Sequence, residues 1–223
     1  MIKNPVPWPN GAKCACCVTF DMDADSLIHV AHKQDGYSRV AAISMLRYGP
    51  EVAVPRIVDS YRELGIKQTF FIPAWCIETY PAAVEAILKD GHEVAHHGYI
   101  HEHPRELPPA EEAYWLDRAS DVITSFTGQR PRGFRAPLYN FSDQTADFLA
   151  ERGFVYDASL MGDDVPYLLE CCKGTLVELP THWGLDDWPQ FVQSIDLDYM
   201  MPIRAPKQGL ETFRQEFEAA YRY

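Results

Sequence analysis

Two short segments hold the residue types that could do chemistry. Thr19-Phe20-Asp21-Met22-Asp23 closes an apolar run, and His96-His97-Gly98-Tyr99-Ile100-His101 contains a His-x-x-x-His. One carboxylate and two imidazoles form the ligand set of a catalytic Zn2+, with a fourth position left for water. Another divalent metal would also fit such a set. The second carboxylate, Asp21, would stand beside that water. The chemistry these residues suit is metal-assisted hydrolysis.

Five of the eight histidines lie between His92 and His103. His92/His96 and His97/His101 are both i, i+4 pairs, which share a face on a helical turn. His97/His101 is preferred because it lies past the end of an apolar segment, whereas His92 sits at its start. Gly98 permits a sharp turn there, and Pro104 stops further helix. The plain alternative is a surface cluster of solvated histidines. Asp21 and Asp23, two apart, would face the same side of an extended strand. Their mutual repulsion is a cost that a divalent cation relieves. Asp25 is an alternative ligand, and a strand-end Asp capping a loop is the structural alternative.

Other polar groups recur at the ends of apolar segments. Arg135, in Phe134-Arg135-Ala136-Pro137, could pair with Asp21 and orient it. Asp157 and His182 fall in similar places, and Asp186-Asp187-Trp188 could line a cleft wall. Trp75, Tyr139, Trp183 and Trp188 could pack on a substrate ring, although such residues are more often core.

Positioning these groups requires alternating strands and helices. Helical patterns end at Gly65, Gly91, Gly128 and Gly153, and an apolar segment follows each. Glycine suits the left-handed residue that closes a helix. The alternation predicts an α/β fold with a parallel sheet, open or barrel-shaped, with the site at the C-terminal strand ends. No repeat or linker interrupts residues 1–223, which read as one domain. Residues 24–50 have weak periodicity and are expected to form a loop or lid. Leu210, Phe213, Phe217 and Tyr221 share one face of a final amphipathic helix. No strand follows it, so the chain reads as truncated within a βα unit.

Composition bounds the partners. The 223 residues are 47% hydrophobic with net charge -12. That charge argues against nucleic acid and against an anionic membrane surface. No run approaches the roughly 20 apolar residues of a span, and Met1 to Pro9 contain no apolar signal core. A cytoplasmic location and a small-molecule substrate are expected, and so is a homo-oligomer that covers the apolar face of the last helix. The six cysteines are clumped, unlike a disulfide framework, and Cys14, Cys16 and Cys17 read as buried strand thiols rather than a redox or metal site.

Together the motifs resemble the polysaccharide deacetylase superfamily, also called NodB-like or carbohydrate esterase family four. The resemblance rests on Thr19 to Asp23, His97 to Glu102, Gly133 to Pro137, Tyr156 to Ser159 with Asp163 to Tyr167, and Leu179 to Trp183. It implies a distorted (β/α) barrel with its last unit missing. It also implies Asp23, His97 and His101 as Zn2+ ligands, Asp21 as general base and Arg135 as its partner. Met22 separates aspartates that the family usually keeps adjacent. This spacing resembles the branch with peptidoglycan deacetylase-like proteins, allantoinase-like ureide hydrolases and cyclic imide hydrolases. The family's late histidine, a general acid, has no counterpart after His182, so a binding module without activity stands as a contrasting reading. A site lined by Trp75, Tyr139, His182 and Trp183 beneath a lid suits a small flat ring. Ring opening of cyclic imides is therefore the expected reaction, with amino-sugar or peptidoglycan deacetylation and ureide hydrolysis as alternatives.

Overall fold

The computed structural model describes residues 7–222. The start of the chain, read above as lacking a signal core, and the terminal Tyr223 lie largely or wholly outside that range. Seven strands form one sheet: β1 (Thr19–Asp21), β2 (Thr69–Ile72), β3 (Glu93–His96), β4 (Gly133–Phe134), β5 (Tyr156–Asp157), β6 (Tyr167–Cys171) and β7 (Gly174–Glu178). Their order is β1-β2-β3-β4-β5-β7-β6. All neighbours are parallel except the β6–β7 hairpin. The α/β architecture expected from the sequence is present. Among the described residues no strand pairing joins β1 to β6.

The helices are α1 (Ser26–Ala31), α2 (Val40–Tyr48), α3 (Val54–Leu64), α4 (Ala74–Thr79), α5 (Pro81–Lys89), α6 (Pro109–Thr127), α7 (Thr145–Glu151), α8 (Trp188–Phe191) and α9 (Pro206–Arg222). Alternation along β2 explains the main core. Phe70 and Ile72 face one way and pack with Val58, Ile77, Val84, Ile87 and Ile123 from the covering helices. Phe71 faces the other way into a small cluster with Ala95 and Ala158. Gly65 and Gly128 close α3 and α6 with φ of 67° and 77°, the left-handed geometry that glycine adopts without Cβ crowding.

Residues 24–50 depart from the expected loop. They fold as α1, a short 3-10 turn and α2, and a wider π turn at Gly49–Ala53 leads into α3. Pro50 and Pro55 lack the N–H that a regular helix would use there. Ile28, Ala42 and Ile43 form a satellite core with Leu46 and Leu197, and Arg39 pairs with Asp196. These distant contacts, rather than local periodicity, order the segment. The cysteines differ too. Cys16 and Cys17 are exposed ahead of β1, and all six thiols are free. On α9, Leu210, Phe217 and Tyr221 lie largely in solvent. Among the described residues no helix is long and apolar enough to cross a membrane.

Candidate metal centre

Parallel strands put their C-terminal ends on one side of the sheet, and β1, β3 and β4 deliver the candidate residues there. Asp21 is the last residue of β1. The chain then turns at Ala24, which takes φ of 48°. The Asp23 carbonyl accepts bonds from Ser26 N–H (3.2 Å), Ser26 Oγ (2.6 Å) and Cys76 Sγ (3.1 Å). That pinning aims the Asp23 carboxylate inward. Its Oδ1 lies 3.3 Å from His97 Nε2, and its Oδ2 lies 3.5 Å from His101 Nε2. One ligand atom from each of these residues can be chosen so that all three lie within 4.8 Å of one another.

His97 Nδ1 lies 2.7 Å from the Arg135 carbonyl. A carbonyl can only accept, so Nδ1 carries a hydrogen, and Nε2 is the nitrogen that faces the carboxylates and whose lone pair the neutral ring could offer a metal. Asp23 Oδ1 is buried without a hydrogen-bond partner. A buried, unpartnered carboxylate oxygen facing two imidazole nitrogens is a poor arrangement without a cation. It fits a divalent metal of the nitrogen- and oxygen-preferring kind. The electrostatics agree. Burial alone would raise the Asp23 pKa, but His101 and His97 hold it below the usual range. Burial pushes His101 down to about 4, so it is neutral near pH 7. Burial would also lower His97, but Asp21 and Asp23 outweigh it and hold His97 above the usual value.

Arg135 follows β4 and is 8% exposed. Its Nη1 donates to Asp21 Oδ1 at 2.7 Å and to Thr19 Oγ1 at 3.1 Å, and its Nε donates to the Ala158 carbonyl at 2.9 Å. The guanidinium lies 4.2 Å over the Phe71 ring. Asp21 Oδ2 is 3.8 Å from His97 Nε2. The arginine therefore orients a carboxylate at the edge of the candidate Asp23, His97 and His101 cluster.

The remaining candidates separate. Asp25 turns away to Arg47 (3.0 Å) and the Tyr80 hydroxyl, so it is no alternative ligand. His92 Nδ1 accepts the Gln68 N–H, and His96 bridges the Leu116 carbonyl and the Gly98 N–H, which removes His92/His96 as a ligand pair. Tyr139 donates to Asp186 Oδ2 at 2.9 Å, lies 6.0 Å from the Arg135 guanidinium and meets Trp183 edge-on at 5.0 Å. Trp183 is 48% exposed. His182 turns toward α9, with Nε2 3.6 Å from Glu216. Trp75 packs against the main core and the rings of His29 and Tyr80. Asp157 is fully buried against Glu178, not open to the site. Burial raises both carboxyls, and the neighbouring Glu178 pushes Asp157 further up, well above the usual carboxylate range. Ser159 Oγ donates to Asp157 at 2.8 Å and accepts the Ala136 N–H at 2.8 Å, which braces the residue after Arg135.

Sequence reasoning missed Glu178, Ser26, Cys76 and Glu102. A lone acid inside the apolar run Leu176-Val177-Glu178-Leu179 was the one available signal for Glu178. The others are ordinary residues until the fold brings them to a carbonyl or an amide.

The polysaccharide deacetylase family profile matches residues 42–156. That stretch holds His97, His101 and Arg135 and stops short of β1. A peptidoglycan deacetylase of Helicobacter pylori is 31% identical over 196 residues, 77% of this chain and 67% of the relative. A peptidoglycan deacetylase-like protein of Gibberella zeae is 41% identical over 119 residues, but the match spans only 35% of that protein. A crystal structure from Mycobacterium smegmatis, assigned to the polysaccharide deacetylases, superposes with a TM-score of 0.94 at 37% identity, covering 99% of this chain and 77% of the other. An allantoinase, Puue, has a TM-score of 0.82 at 21% identity over 98% of this chain and 76% of its own, which is a likeness of fold. By profile, by relatives and by fold, the chain belongs to the polysaccharide deacetylase family.

Proposed function

We propose that this chain is a metal-dependent deacetylase that hydrolyses the N-acetyl amide of an amino sugar, with peptidoglycan-type glycans as the favoured substrate class. The observation that carries this is the Asp21–Arg135 pair set against the Asp23, His97 and His101 cluster, in a chain whose relative over 77% of its length is a peptidoglycan deacetylase. Zn2+ is the ion we assign. Held by Asp23, His97 and His101, it would polarise the acetyl carbonyl and lower the pKa of a bound water from 15.7 to about 7. Asp21, oriented by Arg135, accepts a proton from the attacking water and returns it to the departing amine. Buried Arg135 keeps its charge beside Asp21 throughout. Tyr139 and Trp183 form an aromatic wall on which a sugar face can rest.

Imide ring opening finds no support in the two relatives described above, named as a peptidoglycan deacetylase and a peptidoglycan deacetylase-like protein. That expectation leaned on a wall of Trp75, Tyr139, His182 and Trp183, of which Trp75 packs against the main core and His182 turns toward α9. Acetate release from N-acetylglucosamine oligomers and from peptidoglycan is the test, with and without chelator, beside succinimide. Chelator-sensitive acetate release is expected. Succinimide opening without acetate release would overturn the proposal.

A further inference from the structure

His101 presents its imidazole to Asp23 from a backbone position that residues with side chains avoid, at φ of 68°. Such a conformation persists where its neighbours hold it. Here the preceding segment is held from two sides. On one side, Ala74 N–H donates to the Gly98 carbonyl at 3.1 Å and Trp75 N–H to the Tyr99 carbonyl at 2.7 Å. On the other, the Glu102 carboxylate folds back over the amides. It accepts the Tyr99 N–H at 2.8 and 3.0 Å through its two oxygens, and the Ile100 N–H at 2.7 Å. Gly98 completes the arrangement. Its φ is 74°, and a Cβ there would stand 3.0 Å from Glu102 Oε1.

We propose that Glu102 is a positioning residue for the metal centre. By capping the amides of Tyr99 and Ile100, its carboxylate presets the turn that aims His101 at Asp23. Both of its oxygens are occupied by backbone N–H groups, so it acts without being a ligand. Residues that orient metal ligands commonly change affinity by about 10–100-fold when removed. A preset turn spares the ordering that metal binding would otherwise have to drive.

The inference rests on the metal-centre reading above, and one experiment separates the two. Zn2+ affinity is measured by competition with a chromophoric chelator for the wild type, Glu102→Ala and Glu102→Gln, beside the unfolding midpoint of each metal-free chain. We expect Glu102→Ala to bind Zn2+ about 10–100-fold more weakly. Glu102→Gln, which keeps one acceptor oxygen, should lie between, with its metal-free midpoint unchanged and the visible spectrum of its Co2+ form shifted. If Glu102→Ala does not fold, Glu102→Gln decides alone. Affinity equal to wild type, or a loss matched by equal destabilisation of the metal-free chain, overturns the role of Glu102. A wild type that binds no Zn2+ overturns the metal-centre reading and this proposal with it.

Discussion

The main-chain carbonyl of Arg135 accepts the Nδ1–H of His97 at 2.7 Å, and this bond decides which imidazole nitrogen faces Asp23. The guanidinium of the same residue holds Asp21. One residue at the end of β4 thus sets the tautomer of a candidate ligand and the orientation of the candidate base.

The two functions of Arg135 can be separated. Asp21→Asn keeps the shape of the carboxylate but removes its basicity. Activity should fall about 10²–10⁴-fold with Zn2+ still bound stoichiometrically. Arg135→Lys keeps the carbonyl and the charge but loses the planar fork that reaches Asp21, Thr19 and Ala158 together. A misplaced base should cost up to about 100-fold in kcat with little loss of metal. Metal analysis beside steady-state kinetics checks both, and full activity in Asp21→Asn would remove it as the base.

Acid should destabilise the metal-free chain through His96. Burial lowers this imidazole to about 3 in the folded chain, against about 6.5 when exposed. The unfolded chain therefore takes up the proton first. Stability from this group is full above about pH 6.5 and is lost as pH falls toward 3, by at most about 1.4 kcal/mol per pH unit. His92, also lowered by burial, acts in the same direction. The Asp157 and Glu178 carboxyls, both raised by burial, act oppositely. Comparing urea midpoints of wild type and His96→Gln from pH 3 to 7 isolates the histidine. The variant should show the shallower acid slope.

The buried acid pair should tolerate loss of charge but not loss of shape. The Ser159 and Leu160 N–H groups donate to Glu178 Oε1 at 3.1 and 2.9 Å. Glu178→Gln keeps an acceptor and should be close to neutral. Glu178→Ala strips an acceptor from both amides, and an orphaned buried donor costs about 1–3 kcal/mol. Denaturant unfolding distinguishes the two variants.

The aromatic wall should act on substrate binding more than on turnover. Trp183→Ala removes an exposed ring whose stacking contribution is about 0.5–1.5 kcal/mol. KM for N-acetylglucosamine oligomers should rise about 2–10-fold with kcat little changed. Tyr139→Phe, which breaks the bond to Asp186, should shift KM in the same direction. A fall in kcat alone would place these rings elsewhere in the mechanism.

Much of the site was legible in the chain itself. Asp21, Asp23, His97, His101 and Arg135 each follow an apolar segment, and parallel strands bring such positions to one edge whatever the details of packing. The alternation of glycine-closed helices with apolar runs likewise specified the α/β class. The same local reasoning failed for residues 24–50, whose short helices depend on Leu197 and Asp196 far along the chain. It misplaced Asp157, since nothing near that residue announces Glu178 as its partner. It preferred His97/His101 to His92/His96 on position alone, and the bonds of His92 and His96 to Gln68 and Leu116 supplied the physical exclusion. Local sequence determined which residue types arrive at the strand ends, because strand period and helix closure are near-neighbour effects. Tertiary structure decided which atoms point at one another, because a carbonyl, a buried acid or a left-handed turn acquires its partner from a distant part of the chain.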